Sequence, residues 1–133
     1  MKEQDYQTKI IKGIEAIGGE AINGNFTKAG TADLICGWPY IVDSSEKFKG
    51  YTISEPRLLH LHVEVKTPED YERVFRSIEE VDGRYVFKED TSSLKKHETL
   101  QITKLNRVRD KGGLGLIAHS FEQVKEYVEC NTY

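Results

Sequence analysis

Three residues in this 133-residue chain stand out for their chemistry and spacing: Asp33, Glu64 and Lys66. Asp33 interrupts the apolar run 31–36 (TADLIC). A carboxylate there is costly unless it is paired, hydrogen-bonded or bound to a metal. Glu64 and Lys66 close a second apolar run, 58–65 (LLHLHVEV). At i and i+2 they project from the same face of a strand. Each feature alone has an ordinary explanation: an exposed strand end for Asp33, and a solvated salt bridge of little energetic worth for the Glu-x-Lys pair. Together they say more. Acids near corresponding ends of two adjacent strands repel each other unless a cation sits between them. Hard oxygen donors with room for water suit Mg²⁺ or Mn²⁺. A lysine beside such an ion can orient a water or stabilise charge on a phosphate.

The surrounding pattern supplies elements to hold them. Residues 3–17 place Gln7, Ile10, Ile14 and Ile17 on one helical stripe, and Gly18-Gly19 stops that helix. Residues 20–23 read as a short strand, with a turn at Gly24-Asn25, and 31–36 as a buried strand. In 58–65, Leu59, Leu61, Val63 and Val65 alternate with Leu58, His60, His62 and Glu64, the signature of a strand with two different faces. Residues 38–57, with Pro39, Gly50 and Pro56, read as a long loop with a hairpin arm through Tyr51–Ile53. The spacing predicts a helix over 69–81, a turn at Asp82-Gly83 and a short strand over 84–88. A helix over 99–111 carries Gln101, Leu105 and Val108 on one stripe and stops at Gly112-Gly113. A strand over 115–119 and a last helix capped by Ser120, with Gln123 three residues on, complete the chain. The order predicts an α/β fold around one mixed sheet flanked by helices.

Composition narrows the classes. At 133 residues the chain has room for one domain, 1–133. With 38% hydrophobic and 31% charged residues it reads as globular rather than disordered. No apolar run approaches the ~18 residues of a membrane helix, and the N-terminus has no signal-peptide core. Cys36 and Cys130 are too few for a disulfide framework or a four-ligand zinc site, so the expectation is reduced thiols and a cytoplasmic location. The net charge of −3 gives no global nucleic-acid signature. Residues 88–111 nevertheless hold 7 Lys/Arg against 4 acids. That local excess reads either as a solvated face or as a phosphate-facing strip, with Lys95, Lys96, Lys104 and Arg107 as its candidates.

Several pieces in order resemble the VRR-NUC branch of the PD-(D/E)XK nuclease superfamily. An acid opens the first helix in Glu3-Gln4-Asp5-Tyr6-Gln7. Ala29-Gly30-Thr31-Ala32-Asp33-Leu34-Ile35 is similar to the family's "aGxPDl", with Ala32 in place of proline. Val63-Glu64-Val65-Lys66 is similar to its "iEvK", Gln101 heads the next helix, and Gly112-Gly113 precedes the last strand. The resemblance covers about residues 3–128, with interruptions at 38–57 and 67–98 that look like insertions. It implies a restriction-endonuclease-like αβββαβ core. Asp33, Glu64 and the Val65 carbonyl would then hold Mg²⁺ or Mn²⁺. Lys66 would position the attacking water, Gln101 would hold Lys66 or the metal's water shell, and Glu3 would complete the site. Glu15 and Glu20 are rival acids for this place, but Glu3 shares the stripe of Gln7, Ile10 and Ile14, off which Glu15 lies.

The implied activity is a metal-dependent DNA endonuclease, selective for branched DNA such as Holliday junctions and similar to small phage-encoded resolvases that work as homodimers. The apolar strip Tyr71, Val74, Phe75 and Ile78 is a candidate dimer surface. Two other readings share the core: a sequence-specific restriction-type enzyme and a non-catalytic nucleic-acid-binding module. Other residues carry weaker signals. His60 and His62 have zinc-pair spacing but no third ligand, and Cys36 and His119 read as packing residues. Gly112–Gly115 lacks the Lys-Ser/Thr of a phosphate loop, and Trp38, Tyr40 and Tyr51 read as packing more readily than as base-stacking groups.

Overall fold

The structure, a computed structural model, describes residues 2–23, 33–48 and 51–131, with residues 23, 40–48 and 51–58 described by backbone alone. Strands β1 (Glu20–Asn23), β2 (Leu34–Phe48), β3 (Tyr51–Val65) and β6 (Leu114–Ala118) form one sheet in the order β1-β2-β3-β6. The β1–β2 and β2–β3 pairs are antiparallel and the β3–β6 pair is parallel, so the sheet is mixed. Between β3 and β6 the chain makes α2 (Pro68–Phe75), a hairpin of β4 (Ile78–Val81) and β5 (Arg84–Phe87), and α3 (Lys96–Asp110). Helices α1 (Glu3–Ala16) and α4 (Phe121–Asn131) complete the described elements.

The sheet carries a core on each face. On one side Ile10 and Ile14 of α1 and Val124 and Val128 of α4 pack on Leu34, Cys36, Leu61, Val63 and Val65. On the other, Val74, Ile78, Tyr85, Ile102 and Leu105 pack around Ile117. A parallel β3–β6 pair requires a crossover. Here α2, the hairpin and α3 supply it and roof the second face.

Local chemistry sets the ends of these elements. Gly18 and Gly112 have φ of +89° and +83° directly after the C-caps of α1 and α3. Gly19 N–H then bonds Ile14 O at 2.9 Å, and Gly113 N–H bonds Val108 O at 2.9 Å. Each Gly-Gly pair therefore closes a Schellman motif. Asp82 and Gly83, at φ 51° and 76°, make the two-residue turn of the β4–β5 hairpin. Thr67 Oγ1 accepts from Asp70 N–H at 3.2 Å and starts α2 with Pro68 in its first turn. Ser120 Oγ accepts from Gln123 N–H at 3.3 Å, while Gln123 Oε1 accepts from His119 N–H at 2.7 Å.

Among the described residues strand β6 pairs with β3 alone, and its other edge is covered by side chains. Tyr127 OH accepts from Gly115 N–H at 3.1 Å, and Tyr85 OH accepts from Ile117 N–H at 2.9 Å. Arg109 Nε donates to Gly115 O at 2.6 Å, with its guanidinium against the Tyr85 and Tyr127 rings. Asn106 holds β5 in place by exchanging two hydrogen bonds with the Tyr85 backbone, at 2.9 and 2.8 Å.

The structure corrects several sequence expectations. The stretches 38–48 and 51–57 are strand rather than loop: the arm expected at Tyr51–Ile53 is a long two-stranded ribbon of β2 and β3, in which Pro39 pairs with Leu58 and Ile41 with Pro56. The helix predicted over 69–81 ends at Phe75, and Ile78 opens β4. Helix α3 begins at Lys96, three residues before the predicted start. Ile17 follows α1 and is 43% exposed. Val74 and Ile78, offered as part of a dimer surface, are 1% exposed and belong to the protein's own core. The turn at Gly24-Asn25 and the stretch Ala29–Ala32 lie outside the described residues, as do the side chains of Tyr40 and Tyr51. Among the described residues no helix is long and apolar enough to cross a membrane.

Candidate active site

Leu34 of β2 is registered with Val63 of β3, so one further antiparallel step sets Asp33 opposite Glu64. Leu34 and Val63 point into the α1–α4 core. The period-two alternation therefore turns Asp33 and Glu64 to the opposite face, where Ile117, the β6 partner of Glu64, is apolar. Both acids are buried, at 9% and 2% exposure. Asp33 Oδ2 accepts from Val65 N–H at 3.0 Å. Val65 thus enters the site through its backbone, while its side chain packs in the core behind.

The two carboxyls lie close enough that ionising both is costly. Burial, then the neighbouring Asp33, push Glu64 up from 4.5 to about 9, against a smaller opposing pull from Lys66. Glu3, in the first turn of α1, reaches the same group, and its Oε1 accepts from Gln7 Nε2 at 3.5 Å. Its carboxyl is raised by burial and by Asp33, and Lys66 offsets part of this.

Lys66 directly follows β3 and extends the parallel ladder, its N–H bonding Ala118 O at 3.0 Å. Its Nζ lies 3.8 Å from Glu64 Oε1 and 2.9 Å from Glu98 Oε2. Burial alone would lower the ammonium's pKa, but the Glu98 hydrogen bond and the charges of Glu64, Glu98 and Glu3 outweigh it and raise the value.

Sequence reasoning missed Glu98 and Arg73. Glu98, 1% exposed, lies in the first turn of α3, where its Oε1 accepts from Lys95 N–H at 2.8 Å. Arg73 of α2 grips it with two parallel bonds, Nη1 to Oε1 at 2.8 Å and Nη2 to Oε2 at 2.9 Å. Burial would raise the Glu98 carboxyl, yet Arg73, the Lys95 amide and Lys66 hold it down at about 2. A signal was present: Glu98 sits three residues before Gln101 on the stripe that runs on to Leu105.

Gln101, one turn further along α3, is half-buried. The buried side-chain atoms left without a hydrogen-bond partner among the described residues are its Oε1 and Glu64 Oε2. Of the basic strip, Lys95 and Lys96 stand exposed at the α3 N-terminus beside Glu98. Arg107 is exposed three turns on, about 16 Å along the axis, and Lys104 is half-buried.

The weaker candidates take other roles. His60 and His62 touch edge to face at 4.6 Å, and burial, then the His60 charge, lowers His62. Cys36 is buried in the core, and burial pushes its thiol up to about 12, which suits packing rather than nucleophilic attack. His119 packs edge to face on Tyr71. Among the described residues no three or more His, Cys, Asp or Glu side chains form a ready-made metal cage.

Comparison with known proteins finds no match to this chain: no family model, no curated protein and no solved structure.

Proposed function

We propose that this protein is a divalent-metal-dependent DNA endonuclease with a restriction-endonuclease-like core, hydrolysing phosphodiester bonds in branched DNA. The observation that carries the reading is the Asp33–Glu64 pair: two buried carboxyls set opposite each other, with Glu64 Oε2 lacking a partner among the described residues. The element order α1-β1-β2-β3, then α3-β6, supports the core assignment.

The residues fit a hard cation. Their donors are oxygens, one of them orphaned and buried, and a Mg²⁺ or Mn²⁺ ion between the two carboxyls would relieve their mutual repulsion. Asp33, Glu64 and the Val65 carbonyl would hold the ion. When bound, it supplies positive charge beside the scissile phosphate and acidifies a water. Lys66, kept as an ammonium, orients the attacking water and stabilises charge on the phosphate, but does not take up the water's proton. Gln101 Oε1 is free to accept from water, and Glu3 closes the α1 side of the site. Lys95, Lys96, Lys104 and Arg107 contact phosphates along the duplex. A homodimer supplies the two sites that symmetric cuts across a junction require.

The test is cleavage of supercoiled plasmid and of a synthetic four-way junction in Mg²⁺, in Mn²⁺ and in EDTA. Metal-dependent nicking should fall more than ~100-fold in Asp33→Asn, beyond what loss of an outer partner of a metal ligand costs. Wild-type-level cutting by that variant refutes the site. Tight junction binding with no cutting by the wild type makes the protein a binding module instead.

A further inference from the structure

We propose that Glu98 is the positioning residue for Lys66, anchored in turn by Arg73, so that the crossover between β3 and β6 is a working part of the active site. This rests on the reading above, in which Lys66 acts on the water and phosphate.

The geometry is unusually complete. The two oxygens of Glu98 receive four donors: Arg73 Nη1 and Lys95 N–H on Oε1, Arg73 Nη2 and Lys66 Nζ on Oε2. A carboxylate has about four acceptor sites, and all are used. Arg73 is itself tied down, donating to Ser93 O at 2.7 Å and to Asp70 Oδ1 at 3.3 Å. Glu98 therefore cannot swing, and the ammonium it holds at 2.9 Å is fixed with it. Stability alone is a poor reason for such a cluster, because buried ion pairs do little better than apolar residues of the same size.

The position of Lys66 explains the cluster. Its Nζ is 2.9 Å from Glu98 but 3.8 Å from Glu64. Without Glu98 the flexible lysine would fall onto Glu64 and form a direct ion pair there. That would neutralise the carboxylate meant for the cation and remove the ammonium from the phosphate. Glu98 thus places the ammonium and keeps it off the metal ligand.

The experiment compares wild type, Glu98→Gln, Lys66→Ala, their double variant and Arg73→Lys. The first readout is the ¹⁵N–¹H signal of the Lys66 ammonium, identified by its loss in Lys66→Ala. It should be observable in wild type, weakened in Arg73→Lys, which keeps the charge but loses the fork, and lost in Glu98→Gln. The second is single-turnover cleavage. Glu98→Gln should slow it by ~10–100-fold, as for partners that orient a ligand, with junction affinity within about twofold and a raised Mg²⁺ requirement. The double variant should be no slower than Lys66→Ala. Retention of both signal and rate in Glu98→Gln, or multiplying effects in the double variant, overturns the proposal. If Glu98→Gln does not fold, Arg73→Lys decides by the same two readouts. If wild type cuts no DNA the endonuclease reading falls, and the ammonium signal still decides whether Glu98 places Lys66.

Discussion

Glu64→Gln should make the cation-free protein more stable while abolishing cleavage. The unfolded chain releases the Glu64 proton near 4.5, the folded protein only near 9. Between those values folding must take up a proton, so stability falls as pH rises, by ~1.4 kcal/mol per pH unit. At pH 7 the interval already crossed is about 2.5 units, a cost of ~3 kcal/mol; at pH 5 it is less than ~1 kcal/mol. Glutamine has the shape of the protonated acid and carries no charge to repel Asp33. It titrates nowhere in this range, so the cost disappears. In a domain of this size ~3 kcal/mol corresponds to about 10 °C in Tm. The assay is thermal or urea unfolding of both proteins in EDTA from pH 5 to pH 8. The curves should meet near pH 5 and diverge steadily above it, with wild type the less stable. Millimolar Mg²⁺ should raise wild type and leave the variant unmoved. Parallel pH profiles, or a variant less stable than wild type at pH 7, would refute the burial and pairing argument for Glu64.

Three further outcomes follow. Joint replacement of Lys95, Lys96, Lys104 and Arg107 by alanine should weaken junction binding at every sequence and lower the salt slope by about one for each phosphate no longer neutralised; an unchanged binding curve removes the strip. Tyr85→Phe leaves the Ile117 N–H without its hydroxyl acceptor in a buried setting and should cost ~1–3 kcal/mol in urea unfolding, whereas a neutral result would mean that water replaces the hydroxyl. Light scattering at micromolar concentration should give a mass near twice the 15.2 kDa of the chain. A clean monomer mass rejects the homodimer.

Much of the scaffold is legible because short-range periodicity writes it. The alternation from Leu59 to Val65 marks β3, and the paired glycines at 18–19 and 112–113 mark helix stops by the one conformation that favours glycine. Asp33, Glu64 and Lys66 can be singled out because charge within apolar runs needs a reason. The stretches 38–48 and 51–57 read mostly as loop, not strand, because proline argues against a central strand. In a two-stranded ribbon each strand has one free side, so Pro39 and Pro56 need not remove a ladder bond. The helix predicted over 69–81 is too long because Ile78 continues the spacing of Tyr71, Val74 and Phe75, although its burial is as β4. Glu98 is hidden differently. In sequence it is one acid in a basic stretch, and its partners Arg73 and Lys66 lie 25 and 32 residues away. Only the crossover brings them together.

The sealed edge of β6 limits how copies of this protein can associate. An open strand edge invites another chain to add on, and repeated addition gives fibres or precipitate. Here the tyrosine hydroxyls and the Arg109 guanidinium already occupy the outward groups of Gly115 and Ile117. An added strand would have to displace all three at once. The opposite edge ends in β1, only four residues long. Continuous sheet growth through β6 is thus blocked at the level of the backbone, and a closed pair of subunits must form through side-chain surfaces rather than by extending the sheet on that side.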